Sequence, residues 1–351
     1  MVFKNIFDRR RFGASLVGLA LLCASAPLQA QSVEEFYRGK TITMYVGTGE
    51  NAGVVGAYPH ALAQVIRKHI PGHPNVIVTH MPGAGGIKLA NYIQSIGPQD
   101  GTQWAFITRG FVLAPLLKAP GAQFDPVQFN WIGSPSRSAS VGGVWTANTD
   151  VRSLADAMRK EVIVGATAPS QDTAVFPNAL NRLIGTKFKV ITGYSSVPAV
   201  DLALQKGEVE GKVGFAYSLL TSGSNASWLT EGKFKVLIQL GLQKASDISP
   251  DVPLALDLVK TPEDRAVLEI LCAPSAMGYP SFMGAGVPAD RVAAIRKAYL
   301  DTLRDPQFIE LATRQQLEID YVPPEEIAQT VRNLYAAPKV AIERVKQLVP
   351  N

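Results

Sequence analysis

The sequence predicts an α/β fold made of two lobes with a cleft between them, and three observations carry that expectation. From residue 40 onward, short β-rich runs alternate with helical patterns, as strands joined by helical crossovers of a largely parallel sheet do. The 351 residues, 47% of them hydrophobic, suffice for about two compact lobes rather than one. A second series of such units begins after residues 129–133, which read as a strand leaving the first lobe.

In the first lobe, residues 41–46 form a strand, a Gly-rich turn follows, and residues 57–69 form a helix. Residues 75–79 are the next strand, followed by Pro82-Gly83-Ala84-Gly85-Gly86, a helix over 87–96 and a third strand over 102–108. Parallel strands share their carboxyl ends, so both glycine turns are expected on one edge of one sheet. The second lobe reads as a strand over 162–166, a polar turn at 167–173, a helix ending near Leu183, a strand over 187–192, a helix over 198–205, and strands over 212–217 and 235–240. The last third is helical at 291–303, 306–316 and 324–348, with few strands of its own to pack against. Those helices must cover a sheet already built, so the first lobe is expected to be discontinuous: residues 31–135 plus 243–351, with 136–242 as the second lobe.

Charge points to export rather than to an acidic partner. Residues 1–30 carry +3 of the formal +5, no dense Lys/Arg run follows them, and aromatic content is 8%, so a nucleic-acid partner is not expected. The basic start, the apolar stretch 12–26 and the small residues after it read as a signal peptide cleaved after Ala30, which places the protein in the periplasm. An uncleaved anchor is the alternative, but the stretch falls short of the ~20 apolar residues that span a bilayer. Arg9-Arg10-Arg11-Phe12 leaves the twin-arginine and general export routes both open. Cys23 lies in that signal without the small residue that precedes a lipidated cysteine. Cys272 is then the one cysteine of the exported chain, so no internal disulfide is expected, and its apolar surroundings at 267–273 suit an inert buried thiol.

The turn at 47–53 contains G-x-G-x-x-A between a strand and a helix, but a dinucleotide site would also need an acidic residue ending the second strand, where Thr79-His80-Met81 stands. No cofactor is expected. Either turn alone could serve only to turn the chain. Two neighbouring turns at helix starts offer backbone N–H groups and helix dipoles to an anion, and a carboxylate accepts hydrogen bonds from several directions. Thr48, Gly49, Glu50, Asn51, Ala52 and Gly53 in the first turn and Gly83, Ala84, Gly85 and Gly86 in the second are the candidate ligand residues.

Phe36-Tyr37-Arg38-Gly39-Lys40-Thr41-Ile42, His69-Ile70-Pro71-Gly72-His73-Pro74, the Pro-Gly-Ala-Gly-Gly turn, Ala90-Asn91-Tyr92, Asp100-Gly101-Thr102, Gly207-Glu208-Val209-Glu210-Gly211 and Asp251-Val252-Pro253 occur in that order. The sequence thereby resembles the Bug-type extracytoplasmic receptors of tripartite tricarboxylate transporters over essentially the whole exported chain. The resemblance implies a type II periplasmic-binding fold hinged by crossing strands, small carboxylates as ligands, and integral membrane transporter subunits as partners. It also implies ligand contacts from Ser170, Gln171, Asp172 and Thr173 and from Tyr194 and Ser195, with Tyr194 and Tyr217 walling an apolar ligand body; Phe215 suits the core equally well. The chain departs from the family at Glu50, in a first loop that lacks the usual aspartate, and whether Glu50 faces the cleft bears on the ligand's charge.

Catalytic patterns are missing: the chain has no Gly-x-Ser-x-Gly, His-Glu-x-x-His or Cys-x-x-Cys. His60, His69, His73 and His80 fall in one stretch, but Ile70-Pro71-Gly72 breaks any helix that would align His69 with His73, so no metal is expected. The sequence therefore points to a monomeric, non-enzymatic carboxylate receptor, with a periplasmic sensor subunit or a secreted α/β enzyme as alternatives.

Overall fold

A computed structural model describes residues 31–50, 54–137, 139–169, 171–221 and 225–349. The expected export signal, Asn51, Ala52, Gly53 and Ser170 lie outside the described residues. From Val33 on, all elements belong to one compact unit.

The chain opens with α1 (Val33–Tyr37), β1 (Thr41–Val46), α2 (Val54–Val65), β2 (Asn75–His80), α3 (Ile87–Ser95), β3 (Gln103–Phe106), α4 (Leu113–Leu116) and β4 (Asn130–Gly133). It continues through β5 (Ser140–Trp145), α5 (Leu154–Arg159), β6 (Val162–Gly165), α6 (Asp172–Ile184), β7 (Phe188–Ile191), α7 (Val197–Lys206), β8 (Gly211–Ala216), α8 (Ser218–Thr221), α9 (Ser227–Thr230) and β9 (Phe234–Leu240). It ends with α10 (Pro262–Cys272), β10 (Ser281–Met283), α11 (Ala289–Leu303), α12 (Pro306–Arg314), α13 (Pro324–Tyr335) and α14 (Lys339–Leu348).

Two five-stranded sheets result, with strand orders β2-β1-β3-β10-β4 and β7-β6-β8-β5-β9. Both are mixed rather than largely parallel. β1 runs parallel to β2 and β3, and β6 runs parallel to β7 and β8, but β10 and β5 run antiparallel to both of their neighbours. β5 was not foreseen because its centre is Gly142-Gly143, which reads as a turn. The pairing requires those glycines, since an added Cβ would lie 2.9 Å from Val213 Cγ1 at position 142 and 2.3 Å from the Lys235 carbonyl oxygen at position 143.

Alternation in β1 buries Ile42, Met44 and Val46, and these strands pack under α2 and α11 with Tyr58, Leu62, Trp104, Ile295 and Tyr299. α12 packs on α2, and α13 on β4. The expected helix over 324–348 is two helices, because Pro338 cannot continue the first. Its second half, α14, leaves the first sheet and packs on α10 and α6, so the C-terminal segment serves both sheets.

One face of the second sheet carries a smaller cluster of Val141, Leu204, Phe215, Trp228 and Phe234, which places Phe215 in the core. Within it Lys212, 1% exposed, pairs with Asp201 of α7, and its Nζ lies 4.0 Å from the Phe215 ring centroid. Asn225 donates a second bond to Asp201 at 2.8 Å. Desolvation holds the Lys212 ammonium below the usual lysine range, and Asp201 opposes that effect. Removing one partner strands the other charge, so Asp201→Ala is expected to lower the unfolding free energy by about 3–5 kcal/mol. The double variant Asp201→Ala/Lys212→Met should recover most of that loss in denaturant titrations. Equal losses in the single and double variants would contradict this account.

Candidate functional site

Because β1, β2 and β3 are parallel, the residues that follow them emerge on one edge of the first sheet. Gly47 and Thr48 follow β1, the Gly83–Gly86 turn follows β2, and Thr108 and Arg109 come just after β3. Ile107, fully buried, holds these segments together. A Cβ on Gly47 would sit 3.0 Å from Ile107 Cγ1, and one on Gly86 only 2.5 Å from its Cγ1 and Cδ1. Position 86, where φ is also +100°, therefore needs glycine, while Gly47 is packed tightly against the same side chain.

Gly83, Ala84, Gly85 and Gly86 have φ values of 156°, 45°, 62° and 100°. Four successive positive values, one of them at an alanine, make this an unusual backbone. The run leads directly into α3, so its N–H groups add to the positive end of that helix. Gly86 N–H closes the turn on the Gly83 carbonyl at 2.9 Å, and the Thr108 hydroxyl donates to the Gly85 carbonyl at 3.3 Å. Ala84 and Gly85 are exposed.

In the first turn Gly49 and Glu50 are exposed and Thr48 is half-buried. The Thr48 hydroxyl oxygen is shielded from solvent and has no hydrogen-bond partner among the described residues. His80 holds this turn from the side, with Nδ1 2.8 Å from the Thr48 carbonyl oxygen.

On the second sheet the turns after β6 and β7 are tied together: Gly193 N–H donates to the Thr167 carbonyl at 2.8 Å, and Thr167 N–H donates to the Thr173 hydroxyl at 3.1 Å. Gln171 and Ser195 are exposed, Thr173 is buried, and Tyr194 is half-buried against the smaller apolar cluster. Gly214, at φ +78°, lets the start of α6 rest on β8, where a Cβ would fall 2.3 Å from the Asp172 carbonyl oxygen. Tyr217 directly follows β8, which runs parallel to β6, so it leaves the same edge of the sheet as these turns. It borders a groove of about 740 Å³ on the outer edge of the sheet with Phe234, Ile248 and Val252, and none of the candidate turn residues lines that groove.

The residue that links the two edges is Arg109, which the sequence reading did not single out. Its Nη2 donates to the Ser140 hydroxyl at 2.6 Å, and Ser140 opens β5 in the second sheet, 3.2 Å from the Ser275 hydroxyl. Arg109 also acts on Asp172: burial pushes that carboxyl above the usual range, and the guanidinium opposes the shift. Its only signal in the sequence was position, a cation just past the end of the third strand. Cys272, fully buried, has its thiol pushed up to about 12 by burial, with Asp172 adding to the effect.

The histidines separate. His69 Nε2 meets Asp305 at 2.8 Å, exposed His73 lies beside the Arg67 carbonyl at 3.3 Å, and His60 and His80 bring their Nε2 atoms to 3.2 Å of each other. No cluster of three or more His, Cys, Asp or Glu suited to a metal occurs among the described residues. No helix among them is long and apolar enough to cross a membrane.

No family model matches the sequence, nor does any curated protein sequence. Solved structures do match. A TctC solute-binding protein from Polaromonas, without ligand, aligns with a TM-score of 0.62 at 19% identity, over 89% of this chain and 99% of its own. An R. palustris protein in complex with adipate gives 0.60 at 15% identity, over 88% and 97% of the two chains. MatC from Rhodopseudomonas palustris, with bound malate, gives 0.58 at 17% identity, over 88% and 99%. This chain has the periplasmic solute-binding-protein fold.

Within the solute-binding fold, Arg109 is a strut between the sheets whose strength depends on pH. The raised Asp172 pKa means that its ionised form costs stability above the folded-state value, a cost absent below the unfolded value near 3.9. Arg109 offsets that cost only while Asp172 is ionised. Arg109→Met is therefore expected to destabilise by about 1–3 kcal/mol at pH 7, and by less at pH 4, where its help to ionised Asp172 is gone although the Ser140 hydrogen bond is still lost. Urea titrations at the two pH values check this, and a larger loss at pH 4 would contradict it.

Proposed function

We propose that the protein is an extracytoplasmic solute receptor of the tripartite tricarboxylate type. In this reading it is exported to the periplasm after cleavage near Ala30, captures a small carboxylate without turning it over, and presents it to integral membrane transporter subunits. The observation that carries the reading is the Gly83–Gly86 turn, whose exposed, positive-φ Ala84 and Gly85 at the start of α3 would offer a carboxylate backbone N–H donors without a paired cation. Gly47 and Thr48, which begin the first turn, leave the same sheet edge, and the Thr48 hydroxyl has no hydrogen-bond partner among the described residues. Residues 170–173, Tyr194 and Ser195 would supply the opposite wall.

A carboxylate held by one wall alone would keep most of its surface in water, whereas small-molecule sites bury about 70–90% of their ligand. In this reading residues 31–135 plus 243–351 form one lobe and 136–242 the other, and they close on the ligand about the crossing segments near residues 132–136 and 240–243. Adipate and malate, bound by two proteins of the same fold, make dicarboxylates the first class to test.

A thermal-shift screen of mono-, di-, tri- and aromatic carboxylates tests the reading, since a ligand at a hundred times its Kd adds about 2.7 kcal/mol of stability. Gly85→Val makes the test specific to the turn. Among the described residues beyond its chain neighbours no atom lies within 4 Å of a Cβ built there, but φ of +62° strains a β-branched residue and forces the turn to rearrange. The variant is expected to fold and to lose the ligand-induced shift. A Gly85→Val protein that responds as wild type does, or a screen without any carboxylate response, would refute the proposal.

A further inference from the structure

We propose that His60 and His80 form a binding site for one divalent transition-metal ion of the zinc, copper or nickel class, built beside the first glycine turn. The inference is independent of the carboxylate reading. His60 lies on α2 and His80 ends β2, and α2 packs over that strand. The two rings are stacked, with centroids 5.5 Å apart.

The tautomer of His80 follows from its partner. A carbonyl oxygen only accepts, so the contact of Nδ1 with the Thr48 carbonyl at 2.8 Å places the proton on Nδ1 and makes Nε2 a lone-pair donor. In the metal-free protein that lone pair accepts the His60 Nε2–H hydrogen bond, and a metal ion would take it over as that proton leaves. A backbone carbonyl that fixes the second ring nitrogen is the usual outer support of a metal-bound histidine, setting tautomer and ring orientation. The Nε2 atoms are 3.2 Å apart. Two nitrogens each about 2.05 Å from one ion lie about 2.9 Å apart at a right angle and about 3.3 Å apart at the tetrahedral angle. The observed spacing falls between these limits, and exposed His60 is free to turn its lone pair toward the shared centre. Imidazole donors select zinc, copper and nickel over magnesium and calcium, which prefer oxygen. No third His, Cys, Asp or Glu joins the pair among the described residues, so water or a bound anion completes the shell and the affinity is that of a two-histidine site.

The experiment is calorimetric titration of the full-length untagged protein with Zn²⁺, and pulsed electron paramagnetic resonance with one equivalent of Cu²⁺. One Zn²⁺ per chain is expected, with affinity reduced at least about tenfold in His60→Ala and in His80→Ala and unchanged in His73→Ala. Cu²⁺ should show two imidazole nitrogens in the wild type and one in His60→Ala. Because His60 is exposed, its replacement leaves the core intact, and that variant decides the matter even if His80→Ala disturbs the Thr48 turn. Zn²⁺ binding unchanged in His60→Ala, or a single imidazole on Cu²⁺ in the wild type, would overturn the proposal.

Discussion

The candidate site depends on the packing of Ile107 between two glycines. Its side chain occupies the space that a Cβ on Gly86 would need and packs tightly against Gly47, so the segments leaving β1, β2 and β3 are held at near backbone contact. That contact fixes the Gly83–Gly86 turn against the end of β3, and the next two residues of the same segment, Thr108 and Arg109, reach the turn and the second sheet respectively. Parallel pairing puts the three strand ends on one edge. Close packing at Ile107 turns that shared edge into one surface rather than three loops.

Between the sheets the contacts change character. The apolar core is continuous, with Phe111, Phe129 and Phe282 stacking on the first-sheet side and Val164, Phe176 and Leu268 on the second. The crossing segments, by contrast, are lined by small hydroxyl side chains: Ser134, Ser136, Ser140, Ser275 and Ser281 are all buried. Ser134 Oγ donates to the Ser136 carbonyl and accepts from Tyr279 N–H, each at 2.8 Å, and Ser281 donates to the Gly133 carbonyl at 2.9 Å. Gly278 lies so close that a Cβ would be 1.8 Å from the Ser136 carbonyl oxygen. Small side chains let these backbones touch. A seam of hydroxyl–carbonyl bonds is also easier to re-form after a small rotation than interlocked large side chains are, which suits a place where lobes are proposed to move.

The sequence made legible those features that rest on local pattern. The strand expected over 41–46 is β1, and the helix expected over 198–205 is α7, which the Ser196 cap and left-handed Gly207 bound. What it hid depends on distant contacts. β5 carries glycines because β8 and β9 crowd it from both sides, so its own residues look like a turn. α10 did carry a local signal, Thr261 capping Asp264 N–H ahead of Pro262, which the reading passed over. Arg109 belongs to no motif and gains its role from Ser140 and Asp172, which only the fold brings near. The histidines show the same limit. The pair close in sequence, His69 and His73, part to different neighbours, while His60 and His80, twenty residues apart, meet because α2 covers β2.

The central claim is that two sheets, linked by Arg109 and the serine seam, belong to lobes that close on a carboxylate. Small-angle scattering of the exported protein, with and without a saturating carboxylate ligand, addresses it most directly. A compact chain of this size has a radius of gyration of roughly 20 Å, and the account predicts a reproducible decrease when ligand binds. An unchanged radius at calorimetrically confirmed saturation would show a preformed site and contradict closure.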